Sequence, residues 1–138
     1  MKKPSFILFV VSLLCFSCSN DDSTTQEEDT AKLESIYNDI ITYSKIETES
    51  CSNPAEWGFV KMFDSPCSAT GGYILYSKKA DQSVLEKKIE QYKAQKAYIS
   101  KKWGFYADVS PPCIDKKVPT GVKCVDNKPQ LYFDFVLY

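Results

Sequence analysis

Histidine and arginine are both missing from the 138 residues of this chain, and each absence closes off a class of chemistry. With no imidazole there is no Ser-His or Cys-His catalytic pair, no histidine ligand for zinc, and no His-type pH switch. With no guanidinium there is no planar fork for phosphate or guanine, and all 17 basic residues are lysines. Glycine is scarce, at five residues, and none of it is arranged as G-x-G-x-x-G or as a P-loop. The long apolar run of a spanning helix is also lacking. Phe6 to Phe16 is apolar but too short to cross a bilayer stably, and Lys2 and Lys3 precede it, which is the layout of an export signal.

The residues just after that run set the expected processing. Ser17-Cys18 presents a cysteine behind a small residue, the arrangement a lipoprotein signal peptidase needs to reach the backbone. Cys15 stands three before it, where a lipobox usually carries Leu, and Cys15 itself is a poor acceptor because bulky Leu14 precedes it. The alternative is ordinary cleavage after Ser17 or Ser19, which releases a secreted domain. Ser19-Asn20-Asp21-Asp22 resembles the acidic export signal after the lipidated cysteine of Bacteroidota surface lipoproteins. That resemblance implies a membrane anchor at Cys18, an outer-membrane location in the cell envelope, and display at the cell surface.

Residues 1–17 are therefore expected to leave as a signal peptide, and residues 18–29 to form an anchored, acidic, flexible tether with no apolar side chain from Ser19 to Asp29. A coil of that length lifts a domain roughly 20 Å from its anchor. Residues 30–138 form one domain. The mature chain carries 15 lysines against 18 acidic residues, a net charge of −3, which with the missing arginine argues against a nucleic-acid partner. Once Cys15 and Cys18 are set aside, Cys51, Cys67, Cys113 and Cys124 remain. An even number in an oxidising compartment favours two disulfides, and without His or a tight C-x-x-C pair neither zinc nor thioredoxin-like redox chemistry is implied. No cofactor is implied either. Local closure favours Cys51 with Cys67 and Cys113 with Cys124, the crossed pairings remaining open.

Along the domain, Thr30 is placed to cap a helix in which Leu33, Ile36, Tyr37, Ile40, Ile41 and Ser44 share one face, ending near Glu47. Trp57 to Phe63 and Tyr73 to Ser77 read as strands of a hairpin around a turn-rich connection holding Cys67 and Gly71-Gly72. Ser83-Val84-Leu85-Glu86 fits a capping box. Leu85, Ile89, Tyr92, Lys96, Ile99 and Trp103 then recur at 4, 3, 4, 3, 4 spacing until Gly104 stops the second helix. Lys96 contradicts the apolar stripe; it reads as a stem laid over apolar surface, with a Schiff-base role as the alternative. Phe105 to Val109, Gly121 to Val125 and Gln130 to Val136 complete the strands, the last two flanking a turn over Asp126 to Pro129.

The expected fold is α+β: an antiparallel sheet of about five strands, two helices and two disulfides. Cys51 to Cys124, with the Trp57 strand, the Cys67/Gly-Gly loop, the helix ending in Lys-Lys-Trp-Gly and Cys113, is similar to small uncharacterised exported proteins of Bacteroidota, a resemblance that implies no activity. The function expected is a noncatalytic binding module with a protein or glycan partner. Its contacts would come from the stapled loops at Ser68, Thr70, Gly71, Gly72 and Tyr73 and at Ser110, Pro111 and Pro112. The alternatives are a small hydrolase using two of Glu47, Glu49, Glu56, Asp64 and Asp108, and a structural subunit of an envelope complex.

Overall fold

The first helix, α1, spans Gln26–Ser44 and starts earlier than its apolar stripe suggests. Thr25, not Thr30, is its cap. The Thr25 hydroxyl accepts from the Glu28 N–H at 3.2 Å, and the Glu28 carboxylate accepts from the Thr25 N–H at 2.9 Å, so two otherwise orphaned donors are satisfied reciprocally. Acidic Glu27, Glu28 and Asp29 fill the first turn, where the helix dipole favours them. Thr30 instead donates its hydroxyl to the Gln26 carbonyl inside the helix. Part of the expected tether is thus helical. At the other end Lys45 adopts φ 60°, and α1 stops at Ser44 rather than Glu47.

The computed structural model describes residues 24–63, 69–104 and 118–134. After α1 come a single 3-10 turn at Pro54–Glu56, then β1 (Trp57–Lys61), β2 (Tyr73–Ser77), α2 (Gln82–Trp103), β3 (Gly121–Val125) and β4 (Lys128–Tyr132). The signal segment, Cys18, Asp64 to Ser68, and the expected strand Phe105 to Val109 lie outside the described residues. So do Ser110 to Cys113 and Phe135 to Tyr138.

β1 and β2 pair antiparallel, from Trp57 opposite Ser77 to Lys61 opposite Tyr73. The first strand ends two residues before the expected Phe63, because the Met62 and Phe63 N–H groups both turn to the Gly72 carbonyl, at 2.8 and 3.2 Å. Gly58 faces Tyr76 across the ladder, and a Cβ there would stand 2.7 Å from the Tyr76 ring, so only glycine lets that ring lie over the strand. α2 is capped by Asp81 rather than Ser83: one Asp81 carboxylate oxygen accepts from Ser83 N–H at 2.8 Å and Val84 N–H at 3.3 Å. Gly104, at φ 69°, closes it as expected, donating to the Ser100 carbonyl.

The two helices pack side by side over the first hairpin. Ile40 of α1, Leu85 and Ile89 of α2, and Met62, Ile74 and Tyr76 from the hairpin make the core, flanked by Ile36, Ile41, Tyr43, Val60, Phe63 and Tyr92. In the last half of α2 it is Gln95, not Lys96, that is buried. Its amide donates to the Asp29 carbonyl at 3.3 Å, which is how a polar side chain is accommodated there.

The expected sheet of about five strands is replaced, among the described residues, by two separate two-stranded antiparallel sheets, β1-β2 and β3-β4. No ladder joins the two hairpins; β3 and β4 instead pack against β1 and β2, and a disulfide and one backbone hydrogen bond tie the second hairpin to Cys51, ahead of the first. Asp126 and Asn127 at φ 51° and 60° form a two-residue turn whose twist suits a tight hairpin. Lys128 and Pro129, expected in the turn, therefore belong to β4 and pair with Val125 and Cys124. The Cys51 N–H donates to the Asn127 carbonyl at 2.8 Å, and the Cys51–Cys124 disulfide forms beside it with Cα atoms 5.4 Å apart.

That bridge overturns both local pairings, Cys51 with Cys67 and Cys113 with Cys124. The partners are 73 residues apart in sequence, and docking of the second hairpin against the exit from α1, not chain proximity, brings them together. It is the single disulfide among the described residues; Cys67 and Cys113 lie outside them.

Candidate functional site

A dense polar cluster forms where α1 begins and α2 ends. Asp29 is 3 % exposed, in a segment whose composition had no apolar residue to bury. One carboxylate oxygen accepts from the Thr24 hydroxyl at 2.9 Å. The other accepts from the Lys102 amine at 3.1 Å and the Trp103 indole N–H at 3.0 Å. Lys102 also donates to the Thr24 carbonyl at 3.0 Å and hydroxyl at 2.7 Å, while its amine lies 5.3 Å from the Tyr98 ring centre and 5.0 Å from that of Trp103.

Burial pushes the Asp29 carboxyl up. The Trp103, Lys102 and Thr24 hydrogen bonds, with the lysine charge, outweigh it and hold the group below its ordinary value. Lys102 moves the other way: Tyr98 and Asp29 favour its charged form, against the cost of burial, and its pKa is raised. Each partner therefore stays ionised across the neutral range. A carboxylate fixed in that state, with both oxygens occupied, is a fastener rather than a proton donor.

Beside this latch a groove of about 560 Å³ runs between the helices, lined among others by Lys32, Ile36, Gln91, Ala94 and Tyr98. Further along the helix pair, Lys88 pairs with Asp39 and lies 5.4 Å from the Tyr43 ring centre; Tyr37 and Tyr92 tilt together at 6.0 Å. A second ionic cluster sits at the opposite end of the helix pair. Glu49 accepts from the Ser77 hydroxyl at 2.8 Å and pairs with Lys79 at 3.2 Å and Lys45 at 3.5 Å. The Ser77 hydrogen bond, ahead of the two lysines and against partial burial, lowers its pKa.

The residues expected from sequence to carry contacts are only partly available to do so. Gly71 and Gly72 are buried, at φ 62° and 83°, and the Tyr73 N–H closes onto the Thr70 carbonyl at 3.0 Å, so the pair serves the turn. Thr70 is exposed, and Tyr73 is half-buried with its ring edge-on to Phe59 at 5.8 Å. Ser68, Ser110, Pro111 and Pro112 lie outside the described residues. Of the carboxylates weighed for hydrolysis, Glu49 is tied to lysines, Glu47 and Glu56 are exposed, and Asp64 and Asp108 lie outside the described residues.

Among the described residues no group of three His, Cys, Asp or Glu side chains is placed to hold a metal ion, and no helix is long and apolar enough to cross a membrane. Sequence reading missed the latch. The signal that locates it is Thr25-Gln26-Glu27-Glu28, a capping box that starts the helix about two turns ahead of Leu33, the first residue of its apolar stripe. No protein-family model matches the chain, and comparison with curated proteins and with solved structures likewise finds no match.

Proposed function

We propose that the chain is an envelope lipoprotein, anchored in the outer membrane through Cys18 and displayed at the cell surface, whose folded domain is a noncatalytic binding module for a protein or glycan. The observation that carries this reading is the position of Cys18, behind Ser17 at the end of the Phe6–Phe16 run and ahead of Ser19-Asn20-Asp21-Asp22. The resemblance to exported proteins of Bacteroidota belongs to the same reading. Two features of the domain support it. The Cys51–Cys124 bridge suits an oxidising compartment. Among the described residues the two carboxylates with shifted pKa values, Asp29 and Glu49, are both lowered by cations and hydroxyl or indole donors that fasten elements together, which suits a rigid scaffold.

In this reading the second disulfide joins Cys67 to Cys113, the two thiols that remain once Cys51 and Cys124 are paired. It staples the Thr70–Tyr73 loop to the Ser110–Pro112 segment as one contact surface. Peptide mapping of the protein isolated from its native envelope tests the proposal: an acylated N-terminal Cys18 and a Cys67–Cys113 crosslinked peptide are expected. An unmodified Cys18, or free thiols at Cys67 and Cys113, overturns the corresponding part. Affinity capture with Thr70→Lys and Tyr73→Ala variants then tests the contact surface, and unchanged saturable binding by both sinks it.

A further inference from the structure

We infer that the end of the helix pair carrying Thr24, Lys101 and the Asp29–Lys102–Trp103 latch is the face the domain turns toward a phospholipid surface, with the Lys79 end turned away. The inference rests on acylation of Cys18, and what it adds is an orientation. Thr24 is the point at which the chain enters the domain, and Lys102 holds both its carbonyl and its hydroxyl. Only about six residue steps separate it from Cys18, which at ~3.3–3.6 Å each span at most roughly 20 Å. The latch thereby shortens the leash that composition alone suggests, because residues from Gln26 onward are helix instead of coil.

The opposite pole is not held in this way. α2 runs from Gln82 to Trp103, 22 residues, and at 1.5 Å per residue it is about 33 Å long. Lys79 precedes its cap, Asp81, and pairs with Glu49 beyond the end of α1. A leash shorter than the helix, fastened at one end of it, holds that pole within about 20 Å of the membrane in every orientation, whereas the Lys79 pole approaches only when the helix pair lies flat and otherwise swings away by up to the length of the helix. Charge does not set this orientation: Glu27 and Glu28 are exposed on the same end as Lys101, so the pole carries both signs. The proximity is imposed by the tether and should not depend on ionic strength.

Lysine footprinting reads this directly on the full lipidated protein. The acylated chain is added to preformed phosphatidylethanolamine/phosphatidylglycerol vesicles and treated with a membrane-impermeant amine-acylating reagent. The Cys18→Ser protein with the same vesicles is the comparison. Lys101 is exposed and so is Lys79, whose side chain is 64 % accessible, so both report. Labelling of Lys101 is expected to slow several-fold on the vesicles, and that of Lys79 far less. The difference should persist in high salt and disappear when a long Gly/Ser insert separates Ser23 from Thr24. Equal or reversed protection overturns the orientation, as does protection lost in high salt or shared by Cys18→Ser. Mass analysis of the same sample separates the two failures: unacylated Cys18 removes the anchor itself, whereas acylated Cys18 without Lys101 protection removes only the orientation.

Discussion

Asp29 shows how much of a fold can depend on one side chain that composition assigns to solvent. It is flanked by Glu28 and Thr30 and preceded by no apolar residue since Phe16 other than Cys18, so nothing nearby in sequence marks it for burial. Its partners, Lys102 and Trp103, are distant in the chain and reach it only after the helices pack. Because its folded pKa is lowered, its contribution to stability is present above its unfolded value near 3.8 and is withdrawn as pH falls through the depressed folded value. Glu49, also lowered, acts in the same direction, from its ordinary value near 4.5 downward. Lys102, raised, contributes fully below about its ordinary 10.5 and is lost as pH rises through the folded value. Asp29→Asn should therefore lower Tm at neutral pH by several degrees and shrink the acid limb of a Tm-versus-pH curve, leaving the Glu49 part. A variant whose acid limb matches the parent's would show that Asp29 is not held as described. Gly58 gives a second test at this scale. Gly58→Ala should cost about 1–3 kcal/mol in urea unfolding by crowding Tyr76. In the Tyr76→Ala background the same change should cost less than half as much, since the ring it meets is gone.

At the scale of elements, what sequence makes legible is decided by whether the determining contacts are local. Stripe periodicity locates both helices, and Gly104 ends the second one where expected, because i to i+4 spacing and a left-handed cap are properties of a few consecutive residues. The caps themselves slip. Thr30 and Ser83 are plausible by type, yet Thr25 and Asp81 are the residues whose side chains meet free N–H groups, and the box at Thr25 to Glu28 outcompetes the later threonine. Thr25→Ala should therefore destabilise the domain by about 0.5–2 kcal/mol, while Thr30→Ala, removing only an intrahelical hydroxyl, should stay within about 0.5 kcal/mol. Equal effects in denaturant titrations would refute the assignment of the cap. Lys96 and Gln95 are a similar case. Spacing puts the lysine on the apolar stripe, but the helix pair turns Gln95 inward because the Asp29 carbonyl offers it an acceptor. The contact loop is legible in one respect: the Gly71-Gly72 pair reads from sequence as a positive-φ turn, and it is one.

For the whole molecule, the order of hairpins is written in the sequence but their association is not. Two hairpins and two helices emerge from alternation and turn residues. Nothing in the spacing says that β3-β4 stands apart from β1-β2 as its own sheet, or that Cys124 answers Cys51 across 73 residues. Local loop closure favours short pairings because it considers only the cost of bringing two thiols together, whereas in the native state the Cys51 to Asn127 hydrogen bond has already juxtaposed them. A crosslink over so long a loop restricts the unfolded chain more than a short one, and its whole effect in the chain-entropy account is roughly 4 kcal/mol. Cys51→Ser/Cys124→Ser should lower the urea midpoint accordingly. Because the first hairpin and both helices share a core that does not include the bridge, the loss should fall unevenly. Amide exchange in β3 and β4 should accelerate toward that of a free hairpin, while Ile40, Leu85 and Ile89 keep much of their protection. Uniform acceleration across both regions would instead mean that the bridge is part of one cooperative unit, and that the second hairpin belongs to the core rather than being fastened to it.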